Sequence, residues 1–196
     1  MVRSTMRDIV NLLNEIGQLE KTPRTGFEFL GSGNQSVAEH TYNATMICFI
    51  LAELSEEPVN LERLLMICLC HDIPEARTGD LNYVYKRYSQ PNENKALSDL
   101  NRNLPAGKKI AEYCEEFVEG SSLEAKLAHD ADQLELLFVL KRLYDTGNPR
   151  AIDWFDIVIK RVATELGKKL AEEIRNTPSD DWWIVNKNDS HWIHGK

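Results

Sequence analysis

The stretch CLCHDIPEARTGD, residues 68–80, opens as an apolar helical run and then presents His71, Asp72, Glu75, Arg77 and Asp80 in quick succession. An imidazole next to a carboxylate is a pair that metals favour, and further carboxylates close by can take and return protons. Histidine is scarce, five in 196 residues, so the placing of each one matters. His40 falls in the first turn of a helix opening at SVAEH, His71-Asp72 close the next helix, and Asp130 and Asp132 lie far downstream. Read in order, the chain offers a His, then His-Asp, then Asp. Two imidazoles and two carboxylates suit one divalent transition ion with open positions for water, and they suit calcium poorly, because calcium takes oxygen ligands.

Plainer readings exist for each residue. A lone histidine among apolar neighbours is more often a hydrogen-bonded core residue than a ligand. A histidine at a helix C-terminus is favoured by the dipole, but the same dipole disfavours the carboxylate of Asp72, and a bound cation removes that conflict. Asp130 and Asp132 are both candidates for the fourth ligand. They stand about 200° apart on a helix and cannot share a face. Arg24 is either a surface residue after Pro23 or a fork for phosphate oxygens.

These residues need helices to bring them together. Ile9, Leu12, Leu13, Ile16 and Leu19 make a first amphipathic stripe. Ser36 and Glu39 have capping-box spacing and open a helix expected over 37–54, followed by a third over 61–70. Pro74 and Gly79 then break regularity, and DLNYVYKRYSQPNEN is expected to be a loop with little regular structure. Its Tyr83, Tyr85, Lys86, Arg87 and Tyr88 either line a pocket or pack the loop down, with packing favoured. Helical patterns resume at 95–100 and 105–118. Ser121 and Glu124 form a second capping-box pair opening a helix to Leu143, and a last long helix is expected over 150–174, weakened at Gly167. No strand pair is convincing. The expected fold class is all-α, a compact helical bundle spanning 1–176 with a tail at 177–196. In the tail Trp182, Trp183 and Trp192 read as docking anchors, while His191 and His194 lack a third ligand.

Composition bounds the function. The chain is 42% hydrophobic and 28% charged, with a formal net charge of -8. That balance argues against a nucleic-acid polymer as partner, since a phosphate backbone needs clustered Lys and Arg. No run is long and apolar enough to suggest a membrane span. Cys48, Cys68, Cys70 and Cys114 read as reduced thiols, mostly buried, and the expected setting is cytoplasmic.

RTGF at 24–27, SVAEH at 36–40, CHDIPEARTGD at 70–80 and ADQLE at 131–135 together resemble the HD-domain metal-dependent phosphohydrolases, and within them the 5'-deoxynucleotidase branch. The resemblance covers roughly residues 3–175. It implies an HD-type bundle and a hydrolase that removes the 5'-phosphate from (deoxy)nucleoside monophosphates. It selects Asp132 over Asp130 and makes His40, His71, Asp72 and Asp132 the ligands of one divalent ion of the Co, Mn, Zn, Fe or Ni type. Glu75 is implied as general acid/base, Asp80 as the residue that orients water or the leaving group, and Arg24 as the phosphate clamp. Phe27 stands where relatives often carry Trp, and is expected either to stack on the base or to belong to the core. Arg77 and Lys141 are expected to be local counter-charges. A homodimer would also be in keeping with the family. Three rivals compete: a nucleoside triphosphate or cyclic-nucleotide phosphohydrolase, a non-catalytic metal-dependent nucleotide sensor, and a plain helical interaction module.

Overall fold

The computed structural model describes residues 5–101, 104–184, 191, 193 and 195. Eleven α-helices are seen among them: α1 (Met6–Gly17), α2 (Val37–Leu54), α3 (Leu61–Cys70), α4 (Glu75–Thr78), α5 (Tyr83–Lys86), α6 (Glu93–Asn101), α7 (Pro105–Glu119), α8 (Leu123–Asp145), α9 (Arg150–Val158), α10 (Glu165–Asn176) and α11 (Asp181–Ile184), with short 3-10 turns between some of them. Only isolated bridges, Pro23 with Ser36 and Arg24 with Asp80, stand in for strand pairing among the described residues. The all-α expectation is met. Trp192 and His194 lie outside the described residues.

The centre of the molecule is α8, which is flanked by α2, α3, α7, α9 and α10. Its buried positions run all round the helix, as expected of a helix covered on every side. Leu134, Leu137 and Leu140 of α8 meet Ala44, Cys48 and Leu51 of α2 and Leu64 and Ile67 of α3 in the main core. Removing so much apolar surface from water is the chief stabilising term, about 25 cal/mol for each Å². A second, smaller core joins Leu12 and Leu19 to Val37, Cys70, Ile73, Leu100 and Cys114, and so seats α1, α6 and α7 beneath the end of α3.

Local chemistry sets the helix starts. Ser36 Oγ accepts from the Glu39 N–H at 3.2 Å and the Glu39 carboxylate accepts from the Ser36 N–H at 2.7 Å, the reciprocal box expected. The α8 cap differs from expectation. It is Ser122, not Ser121, whose hydroxyl accepts from the Ala125 N–H, and Glu124 instead accepts from the Asn60 N–H and joins the start of α8 to that of α3.

The helix expected over 150–174 is two helices, and the break is not at Gly167. Asp130, fully buried on α8, accepts from the N–H groups of Ala163 and Thr164 at 2.7 and 2.9 Å and from the Thr164 hydroxyl at 2.5 Å. The carboxylate thereby satisfies a turn that would otherwise carry orphan donors, and Thr164 caps α10. Gly167 sits inside α10, where a Cβ would collide with the Asp130 carboxylate. Asp130 is therefore a structural residue rather than the alternative ligand that the chain order left open.

The segment expected to be irregular holds the short α5, which Asn82 caps by accepting from the Val84 and Tyr85 N–H groups. The side chains of the segment divide: Tyr85 packs edge-on against Phe29, with centroids 6.4 Å apart, and donates to Glu28, whereas Tyr83 and Tyr88 are exposed, and Tyr83 and Lys86 line a cleft. Trp182 is 82% exposed at the rim of an apolar groove between α2, α8 and α10, not docked as an anchor, and Trp183 is partly exposed. No helix among the described residues is long and apolar enough to cross a membrane.

Candidate active site

Five segments deliver the chemistry to one place. The chain between α1 and α2 folds back so that the Arg24 N–H donates to the Gln35 carbonyl and the Val37 N–H to that of Thr22, both at 2.9 Å. This holds Arg24 close to the first turn of α2, which carries His40. His71 and Asp72 follow the last turn of α3, Glu75 opens α4, and Asp132 lies on α8. Gly79, at φ +72°, takes the left-handed turn that α4 needs to end, and it lets Asp80 run alongside Arg24. Thr25 fastens that contact: its hydroxyl donates to the Asp80 carbonyl at 2.7 Å and accepts from the Asn82 N–H at 3.1 Å.

Asp72 is the meeting point. Its Oδ2 lies 3.1 Å from His71 Nε2, 3.7 Å from His40 Nε2 and 4.0 Å from Arg24 Nη1. Asp132 Oδ1 lies 3.1 Å from His40 Nε2, and Arg24 Nε is 3.7 Å from Asp80. His40, His71 and Asp72 each offer one ligand atom, all within 4.8 Å of one another. Asp132 stands at the edge of this trio, against His40.

The outer ring nitrogens are committed. His40 Nδ1 donates to Glu135 at 2.7 Å, and Glu135 also accepts from Gln35 at 2.6 Å. His71 Nδ1 donates to the Cys68 carbonyl at 2.6 Å. With Nδ1 as donor, each ring turns the lone pair of Nε2 inward. Both Nε2 atoms are buried and, despite the carboxylates nearby, neither has a partner in hydrogen-bonding geometry. Buried polar atoms left so are rare and expensive. Two inward-facing lone pairs among anionic oxygens are what a divalent cation requires, so these residues fit the metal that the sequence implies.

Electrostatics separate the carboxylates. Burial raises the Asp132 pKa, but His40, His71 and Arg24 outweigh it and hold the group ionised well below the usual range; Asp72 is lowered in the same way by the two histidines. Glu75 goes the other way. Burial, then the negative charges of Asp72 and Asp80, push it up to about 9, and its Oε2 is buried without a partner. Burial also raises Asp80, against the opposing charge of Arg24. Burial disfavours charge on His71, yet Asp72 draws a proton onto it and lifts its pKa to about 10; a divalent cation competes for that same lone pair.

A cleft of about 210 Å³ opens over these groups. Arg24, Asp72, Glu75, Asp80 and Asp132 line it, together with Phe27 and Trp154. A wider depression of about 710 Å³ beside Ser36 and Glu39 gathers no comparable set.

A model of the HD domain matches residues 16–175. The chain belongs to the HD domain family. Among relatives of this HD chain, the bovine (Bos taurus) 5'-deoxynucleotidase HDDC2 is 28% identical over 158 residues, covering 76% of each chain. The zebrafish (Danio rerio) 5'-deoxynucleotidase HDDC2 is 31% identical over 138 residues, 67% of this chain and 68% of the relative. In fold, a predicted metal-dependent phosphohydrolase from Magnetospirillum magnetotacticum superposes with a TM-score of 0.68 at 24% identity, covering 87% of this chain and 89% of the other. The HD-type expectation therefore holds for family, fold and hydrolase class.

Of the residues singled out in the sequence, His40, His71, Asp72, Asp132, Glu75, Asp80 and Arg24 all reach this cleft or its floor. Phe27 borders it but is only 5% exposed and packs in the main core. Arg77 pairs with Glu15 of α1, and Lys141 with Asp145 at 2.6 Å, as local counter-charges. His129 turns away, donating from Nε2 to the Phe117 carbonyl. Sequence reading missed Gln35, Thr25, Asn82, Gln133, Trp154 and Glu135. Only Glu135 had a signal: its i,i+3 spacing from Asp132 puts both carboxylates on one helical face.

Proposed function

We propose that this HD-domain chain is a metal-dependent phosphomonoesterase that removes the 5'-phosphate from nucleoside monophosphates, deoxyribonucleotides above all. The observation that carries the reading is the pair of buried, unpartnered imidazole nitrogens facing Asp72 and Asp132, beneath a cleft that also presents Arg24 and Glu75. In this reading His40, His71, Asp72 and Asp132 hold one divalent ion of the Co, Mn, Zn, Fe or Ni type. When bound, such an ion supplies Lewis acidity, polarising a phosphoryl oxygen and acidifying water.

The remaining steps belong to the protein. Arg24, anchored between Asp72 and Asp80, offers its guanidinium edge to the phosphoryl oxygens and balances charge as it develops. Glu75, raised in part by the negative charge of Asp72, is relieved of that charge once Asp72 holds the ion, and so can take the proton of the attacking water and return one to the departing 5'-oxygen. Asp80, fastened through Thr25, orients that water or the leaving group. Glu135 and the Cys68 carbonyl keep both rings in the tautomer that leaves Nε2 free.

The relatives named as 5'-deoxynucleotidases support the substrate class. A cytoplasmic setting and a homodimer complete the proposal. The test is phosphate release from ribo- and deoxyribonucleoside 5'-monophosphates, each with several divalent ions, beside metal content of the purified protein. The reading predicts ion-dependent release from the deoxynucleotides. Release from triphosphates or cyclic nucleotides alone, or stoichiometric metal with no release from any of them, would overturn it.

A further inference from the structure

Of the two expectations for Phe27, stacking on the base or membership of the core, the second holds: its ring is spent on the core. Two other aromatics line the cleft, Tyr83 on α5 and Trp154 on the separate helix α9; Tyr83 is largely in solvent with Arg87 over its ring, whereas Trp154 is held in place by its neighbours. Trp154 is half-buried and reaches the cleft across Gly26. A Cβ on Gly26 would stand 2.5 Å from the indole Cη2 and 3.4 Å from Cζ2, so the bare glycine is what admits the ring. Phe27 backs the indole from the core side, with ring centroids 6.4 Å apart and planes inclined at 56°. The indole packs against the main core yet keeps surface on the cleft, over a glycine that makes room for it, and so forgoes part of the burial that a fully enclosed position would provide.

We infer that Trp154 is the nucleoside-recognising residue of this site, stacking on the base of a mononucleotide whose phosphate lies at Arg24. The inference rests on the nucleotidase reading above and adds to it a residue outside the HD motifs. Gly26 is two residues from Arg24, a chain reach of at most about 7 Å, which is the scale separating phosphate from base in a mononucleotide. Stacking on an indole tolerates any base, because each has a π-face. It therefore predicts an enzyme that needs a base and is lenient about which.

The test compares 2'-deoxyadenosine 5'-monophosphate with 2-deoxyribose 5-phosphate, which keeps the reacting phosphate but has no base. Both are assayed with the full chain loaded with the ion that best supports the wild type, and both are also measured by equilibrium binding. In Trp154→Ala, preference for the nucleotide over the base-free ester, as a ratio of kcat/KM values and of affinities, falls at least about fivefold, the low end for losing one base stack. Trp154→Phe recovers much of the preference. Gly26→Ala, which must displace the indole, lowers the preference in the wild-type background and adds nothing in Trp154→Ala. An unchanged ratio overturns the inference. So does an equal loss for both ligands, which is the mark of a merely structural tryptophan. If the wild type releases phosphate from neither compound, the nucleotidase reading itself fails, and the binding ratio still judges Trp154.

Discussion

The chain carries two His-Asp dipeptides, and they have opposite fates. His129-Asp130 lies in α8 with its hydrogen bonds made: the imidazole donates to the Phe117 carbonyl, and the carboxylate takes three donors from Ala163 and Thr164. In His71-Asp72 the carboxylate borders the cleft, the buried inward imidazole nitrogen has no hydrogen-bond partner, and the carboxylate faces a second such nitrogen on His40. The same two residue types thus serve as a structural clamp in one place and as a candidate cation site in the other. What separates them is satisfaction. A buried polar pair whose valences are all filled by its own chain can only stabilise, whereas one with inward lone pairs left over can bind.

This contrast can be broken from either side. The largest effect is expected from Asp72→Ala, which removes the carboxylate shared by both imidazoles. Bound divalent metal, read by elemental analysis, should fall well below one per chain, and phosphate release should drop at least about a thousandfold. Next comes Glu75→Ala, which should retain metal but lose about 10²- to 10⁴-fold in kcat, the usual span for a lost proton-transfer group. Full turnover in that variant would remove Glu75 from the chemistry.

Glu135→Gln sharpens the distinction, since Glu135 touches no substrate but sets the His40 tautomer. Metal affinity, titrated against a chelator, should weaken about 10- to 100-fold while the fold persists. Asp130→Ala should do the reverse. It leaves three donors at the α9–α10 turn unmet and should cost about 3 kcal/mol, a fall in Tm of roughly 6–12 °C in calorimetry, with metal content unchanged. The smallest effect belongs to His129→Ala, about 1 kcal/mol of stability and no change in metal affinity. If Asp130→Ala or His129→Ala abolished metal binding in folded protein, the division between the two dipeptides would collapse.

Much of this was legible in the chain. Helical periodicity and the Ser36–Glu39 box set the bounds of α2, and apolar spacing with Asn60 and the break at Pro74 set those of α3, because these signals act between neighbours. The motifs that resemble the HD family named the groups that do meet in the cleft. The misses are equally instructive. The α9–α10 break is enforced by Asp130 from another helix, so periodicity within 150–174 could not show it. Ser121 has the capping-box spacing to Glu124, but the backbone path gives the cap of α8 to its neighbour Ser122.

By itself, the sequence determined which segments become helices and which side chains are available for chemistry, since propensity, capping and turn formation are local. Tertiary packing alone decided that Asp130 clamps the α9–α10 turn, that Glu135 holds His40, and that Trp154 reaches the cleft while Phe27 is spent on the core. Those choices turn on contacts between residues about 30 to 130 positions apart in the chain, and such distances are closed only when the helices bury their shared core.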